Sequence, residues 1–208
     1  MVGGLARMAV SPGTVWPVVH EERRRLVADL SMLGDEQWGT PSLCAGWDVH
    51  DVVAHLVDSA KTTRLGFARR LLAARFDFDL DNARGIERER RDDPQETLRA
   101  LADATELTCT PPANLATRLV EAIVHGEDVR RPLGISADYP TAAVLVALEY
   151  QLRTGVSMGG GKERAQAVRL VAEDAGASWG AGDEVRGSAL DLLLTVSGRP
   201  TGLALPGR

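Results

Sequence analysis

Apolar residues recur at helical spacing through the first three quarters of this chain, and the pattern shortens and alternates in the last quarter. Residues 15–33, VWPVVHEERRRLVADLSML, keep a helical period after Pro17, with Val18, Val19, Leu26, Leu30 and Leu33 as expected core contacts. The following GDEQWGTPSLCAGW, with three glycines and a proline, reads as a connector. A second helix is expected from Asp48, whose carboxylate can cap the free amides of the next turn, to about Ala74; Asp51 favours the positive end of its dipole. On its wheel Val49, Val52, Val53, Leu56, Val57 and Ala60 share one arc, with His55, Asp51, Ser59 and Thr62 on the flank. The mixed-charge stretch at 75–93 reads as a mobile loop or an exposed helical piece.

A third helix is expected from Pro94, a favourable first-turn residue, with Leu98, Leu101 and Leu107 on related turns. Pro111 and Pro112 end it and open a fourth, ANLATRLVEAIVHGEDVRR, which stops before Pro132 and Gly134; a fifth covers 141–154. Beyond Gly159–Gly161 the texture predicts strand, turn, strand, a short apolar helix and GLAL as a last strand. The expected organisation is a flexible N-terminus at 1–14, a helical bundle over 15–155 and a small α/β region over 162–208, a mainly α fold.

Composition narrows the function classes. At 208 residues the chain can bury a substantial core, and 44% hydrophobic with 25% charged residues is ordinary for a globular protein. No apolar run approaches the roughly 18–20 residues of a membrane span, so the protein reads as cytoplasmic. The net charge of −5 gives no general attraction to nucleic acid, and the runs Arg23–Arg25 and 88–91 sit beside acids, as on solvated helix faces. Cys44 and Cys109 have no paired spacing, which disfavours a disulfide framework or a cysteine zinc cluster. No nucleotide-binding glycine loop and no GxSxG nucleophile motif is present.

Histidine and carboxylate spacing carries the remaining chemistry. His50 and His55 are five residues apart, so at about 100° per residue they diverge by roughly 140° and cannot readily share an ion. His50 reads as a solvent-facing residue of the first turn. Glu121 and His125, four apart, project from one face of the fourth helix, alongside Asn114, Arg118 and Asp128 and opposite Leu119, Ala122 and Ile123. A carboxylate and an imidazole at this spacing can bind one zinc-like ion, but a solvated Glu–His pair is also common, and the pair alone leaves both readings open. His55 is the histidine left mid-helix on a polar flank; adding it would give a three-ligand site with an open fourth position.

The stretches PSLCAGWDVHDVVAHLVD and VEAIVHGEDVRRPLG closely resemble the mycothiol-dependent maleylpyruvate isomerase-like family, within the wider DinB-like four-helix metalloproteins. SWGAGDEVRGSALDLLLTVSGRP resembles the C-terminal α/β region that many members append. The resemblance implies a DinB-like four-helix bundle and a divalent metal, zinc in the first instance, held by His55, Glu121 and His125. It further implies an enzyme in which mycothiol, a small-molecule thiol, loses its proton at the metal and attacks a small electrophilic substrate, in isomerisation or S-transfer. Arg64, Arg69, Arg84 and Arg118 stand equally as partners for a substrate carboxylate. The competing expectation is a non-catalytic metal- or ligand-binding bundle with a regulatory role.

Overall fold

The computed structural model describes residues 8–205. Residues 1–7, half of the segment expected to be a flexible N-terminus, lie outside the described residues. Eight helices among them run α1 (Pro12–Leu30), α2 (Val49–Lys61), α3 (Arg64–Ala73), α4 (Phe78–Glu89), α5 (Pro94–Asp103), α6 (Thr117–Arg130), α7 (Thr141–Arg153) and α8 (Ala189–Val196). Three strands, β1 (Val168–Ala172), β2 (Ala177–Gly180) and β3 (Asp183–Gly187), precede α8.

Helices α1, α6, α2 and α5 pack in a ring, each against the next, and form the four-helix bundle. Their apolar stripes meet inside it, where Leu26, Leu30, Val52, Val53, Val57, Leu98, Leu101 and Val129 make one buried cluster. Most of the expected core contacts are there, but Leu107 lies beyond the end of α5 and is 37% exposed. Arg23, expected on a solvated face, is instead buried, donating from Nη1 to the carbonyls of Ala104, Thr105 and Leu107 where α5 ends. Ala104 caps the end of α5 and the other two residues lie just beyond it, so the guanidinium stitches α1 to the C-terminal end of α5.

The expected second helix is two. Thr62 is extended, and the Thr63 hydroxyl caps a new helix by accepting from the Gly66 amide at 3.1 Å, so the chain turns before α3. The polar stretch at 75–93 is mostly α4, capped by Asp77 and packed along α2. Close approach there requires Gly85, because a β-carbon would stand 2.8 Å from Asp58 Oδ2.

Helix α7 packs on both α6 and α8, and one apolar cluster runs from Val19 and Ile123 through Leu148 to Leu170 and Leu193. In the sheet β1 is central, antiparallel to β2 and parallel to β3. Gly180 and Gly182 carry the chain between the outer strands with φ of +76° and +124°, where added β-carbons would meet the Val168 and Ala167 carbonyls at 2.2 and 1.9 Å. The GLAL segment is not a strand: both edges of β1 are already paired, and Leu203 and Leu205 pack by side chains onto the core.

Candidate metal and thiol site

Helix α2 starts where Asp48 accepts from the Asp51 amide at 2.7 Å and Asp51 accepts from the Asp48 amide at 3.2 Å. This reciprocal cap fixes the start, and with it the rotation that turns His55 towards α6. His50 faces the other way and is buried rather than solvent-facing. Its Nε2 shares a 2.8 Å hydrogen bond with Thr97 Oγ1 on α5, and Trp38 lies edge-on to its ring. The expectation failed because the partner comes from a helix 47 residues away.

His55, Glu121 and His125 come together in the wall of a cavity of about 720 Å³ between α2, α6 and the α3–α4 segment. The two imidazoles are 4.8 Å apart between centroids, edge to face, and Trp47 stands 5.0 Å from His55 and 6.3 Å from His125. Trp47 is placed by the connector, which is pinned by a hydrogen bond from the Leu43 amide to the Asp128 carbonyl and by a bridge between Pro41 and Asp48.

Each of the three side chains has a distinct support. Burial, with His125 as a second cause, pushes the His55 pKa down to about 4, so its ring is neutral at physiological pH. Its Nδ1 is buried with no hydrogen-bond partner. His125 Nδ1 lies 2.9 Å from Asp128 Oδ2, and fully buried Asp128 is clamped by Arg199 Nε and Nη2 at 2.9 and 2.7 Å. Burial works to raise the Asp128 carboxyl, but the hydrogen bonds from Arg199 and His125 outweigh it and hold it below its usual value. Arg199 belongs to the C-terminal region, which therefore orients a residue of the bundle's site.

Burial also opposes ionisation of Glu121, yet the positive charge of Arg118 beside it, with a lesser contribution from Arg23, outweighs burial and holds the carboxyl below its usual value. Ser59 Oγ donates to Glu121 Oε2, and Arg118 Nη2 lies 3.2 Å from Oε1. Among the described residues, no group of three or more His, Cys, Asp or Glu side chains could hold a metal ion as the side chains stand. The donor chemistry nevertheless fits a divalent metal. Two imidazoles and a carboxylate are a common zinc set, His55 has an unspent buried nitrogen, and the Asp128–His125 pair is the usual carboxylate support of a ligating histidine. A carboxylate oxygen has two lone pairs, so the bonds from Ser59 and Arg118 leave Glu121 acceptor capacity.

Of the arginines singled out from the sequence, Arg118 lines the cavity, while Arg64, Arg69 and Arg84 do not. Arg70, passed over, lines it too, bonded through Nη1 to both Asp58 oxygens at 2.7 and 2.8 Å. Burial, with Asp128 adding to it against Arg199, pushes the Cys44 thiol up to about 11, which leaves little thiolate at neutral pH.

Fold and site together define a helical-bundle protein with a histidine–carboxylate cleft, buttressed by a small C-terminal α/β unit. Residues 19–110 match the family model for the mycothiol maleylpyruvate isomerase N-terminal domain, and the resemblance carried by the motifs is borne out over that segment. The matched segment includes His55 but ends before α6, which carries Glu121 and His125. Two solved structures are similar along most of the chain. One is a histidine-to-alanine mutant of the mycothiol-dependent maleylpyruvate isomerase, with TM-score 0.64, 15% identity, 91% of this chain and 90% of that one covered. The other is described as the mycothiol-dependent maleylpyruvate isomerase, with TM-score 0.61, 15% identity and 89% and 88% coverage. At this identity the likeness is one of fold. No curated protein shows a significant sequence match.

Proposed function

We propose that this chain is an enzyme that activates the small-molecule thiol mycothiol for isomerisation of, or S-transfer to, a small electrophile, using a divalent metal, zinc in the first instance, held by His55, Glu121 and His125. The observation that carries the reading is the convergence of these residues from two helices on one cavity wall. The family model matched by residues 19–110 supports mycothiol as the thiol. Zinc in such a site supplies positive charge that lets a thiol lose its proton near neutral pH.

The chain's own residues set the conditions for that chemistry. His55, kept neutral by burial, offers a lone pair without first shedding a proton. Asp128 accepts from His125 Nδ1, which leaves Nε2 as the lone-pair nitrogen. Arg118 and Ser59 fix the Glu121 carboxylate, and Trp47 packs over both imidazoles and excludes water from that side. No helix among the described residues is long and apolar enough to cross a membrane. The proposed setting is the cytoplasm.

The test is elemental analysis of protein purified without chelator or metal-binding tag, beside His55→Ala and Glu121→Ala, followed by mycothiol-addition kinetics. Stoichiometric zinc lost in both variants, with thiol addition accelerated only by the unmodified protein, is the expected result. No metal, even after zinc is supplied, removes the metal reading. One observation favours a second reading, a non-catalytic ligand-binding bundle with a regulatory role: Arg118 already gives Glu121 a counter-charge. Under that reading the two variants change neither metal content nor any thiol chemistry.

A further inference from the structure

The cavity that holds the histidine–glutamate wall also has a lining of different chemistry, carried by the α3–α4 segment. The chain contains three phenylalanines, and all three, Phe67, Phe76 and Phe78, line this one cavity. Phe67 and Phe78 are in ring contact at 6.2 Å between centroids. Phe76 is 69% exposed, and the turn that presents it holds Arg75 and Phe76 at φ +55° and +65°. The left-handed region is unfavourable for a large side chain, so this turn spends backbone energy to place an aromatic ring at the cavity instead of in the core. Met158, 57% exposed, continues the apolar lining from beyond α7.

Charge in the cavity points the same way. Five carboxylates line it, from Asp58, Asp77, Asp79, Asp81 and Glu121, against the two arginines 70 and 118. Neither arginine is available to an incoming anion: Arg70 is spent on Asp58 and Thr62, and Arg118 on Glu121 and Ser59. Arg70 Nε lies 3.5 Å from Asp81 Oδ1 as an ion pair, and Arg118 Nε, without a hydrogen-bond partner, is buried from solvent. Asp77 and Asp79, beside the phenylalanines, are exposed and repel anions at that end.

We propose that the cavity takes an uncharged electrophile bearing an aryl or similarly flat apolar group, and that it is not built for a dicarboxylate. The inference rests on the reading of the site as thiol-activating and deepens it by naming the substrate class. The rings of Phe67, Phe76 and Phe78 receive the flat group by stacking and edge contacts, while the reacting carbon is directed to the His55–His125 side. For a conjugated carbonyl substrate, the thiol sulfur bonds to the β-carbon, the carbon–carbon π pair moves to the α-carbon, and the proton given up by the thiol ends there.

The experiment is calorimetric titration of the full chain, with and without zinc, using cinnamyl alcohol as the uncharged aryl probe and maleate as the dicarboxylate. Phe76→Asn is the variant, since asparagine tolerates positive φ and the position is exposed. Cinnamyl alcohol is expected to bind about tenfold or more tighter than maleate, and Phe76→Asn to lose about fivefold to tenfold for the alcohol alone. Asp77→Asn with Asp79→Asn, which keeps a capping side chain on α4, is expected to improve maleate binding about twofold to threefold. Tighter binding of maleate, or an unchanged affinity for the alcohol in Phe76→Asn, overturns the proposal.

A kinetic arm separates this inference from the one it rests on. Mycothiol addition is followed with cinnamaldehyde and with maleate as acceptors. If zinc binds and maleate reacts faster, the substrate class falls while the thiol-activating site stands. If the alcohol binds as expected but neither acceptor is accelerated, the thiol chemistry falls and the cavity's preference for an uncharged aryl ligand stands.

Discussion

Helices α2 and α3 are neighbours in the chain, yet α2 buries eleven of its thirteen residues and α3 buries none. In α2 the apolar arc meets α5 and α6, His55 and Ser59 face His125, Glu121 and Arg118 on α6, and Asp58 is covered by α4 at Gly85 and Arg88. Its chemistry-bearing residues, His55, Asp58 and Ser59, therefore border the cavity from a helix that packing holds in place, and each is largely buried. Helix α3 leaves Leu65 and Leu72 at 70% and 67% exposure and is held chiefly by Arg70 reaching Asp58 on α2 and Asp81 on α4. The difference shows how the cavity divides its tasks: a wall whose polar groups must not move is built on a fully packed helix, and the other wall is hung from an ion cluster.

The comparison breaks most sharply under truncation of equivalent leucines. Leu56→Ala in α2 removes a buried side chain and is expected to cost about 2–4 kcal/mol by urea denaturation. Leu65→Ala in α3 should stay within about 0.5 kcal/mol. Equal losses would show that α3 carries core packing after all.

Asp128→Asn probes the rigid wall's support. It leaves the half-buried Arg199 guanidinium without its charge partner and is expected to cost about 2–3 kcal/mol at neutral pH. The folded-state pKa of Asp128 is depressed, so its contribution is fully present above the unfolded value near about 4 and is lost as pH falls through the folded value. The gap between parent and variant in urea midpoint should thus close on acidification below about pH 4; a gap independent of pH would place the effect elsewhere than in ionisation.

The smallest effect belongs to the tether. Arg70→Ala is expected to cost about 1 kcal/mol or less in global stability, because Arg88 still meets Asp58 at 2.6 Å. Amide hydrogen exchange over 64–73 should rise strongly while 49–61 keeps its protection. Equal acceleration in both helices would mean that the two walls unfold together.

Much of this was legible in the sequence because it is local. Asp48 as a cap, the apolar arc of α2, and Glu121 with His125 on one face follow from a fixed rotation per residue. The pairing with His55 rested on the family motifs, and the matched segment stops short of α6, so packing had to bring the third residue to the other two. The break at Thr62–Thr63 left a faint signal, two adjacent residues of capping type, which the continuing apolar pattern of Leu65, Leu71 and Leu72 concealed. Those leucines mark an exposed helix instead of a continued core.

By itself the sequence determined the four bundle helices, the small α/β unit and which face of each helix carries polar chemistry, since periodicity and capping depend on neighbours within a few residues. Only the tertiary structure decided that His50 is buried against Thr97, that Arg199 steadies His125 through Asp128, and that three phenylalanines share the cavity of His55. Each of these joins positions far apart in the chain. Spacing along one helix fixes direction, but which residues stand across a cavity is set by how the helices pack.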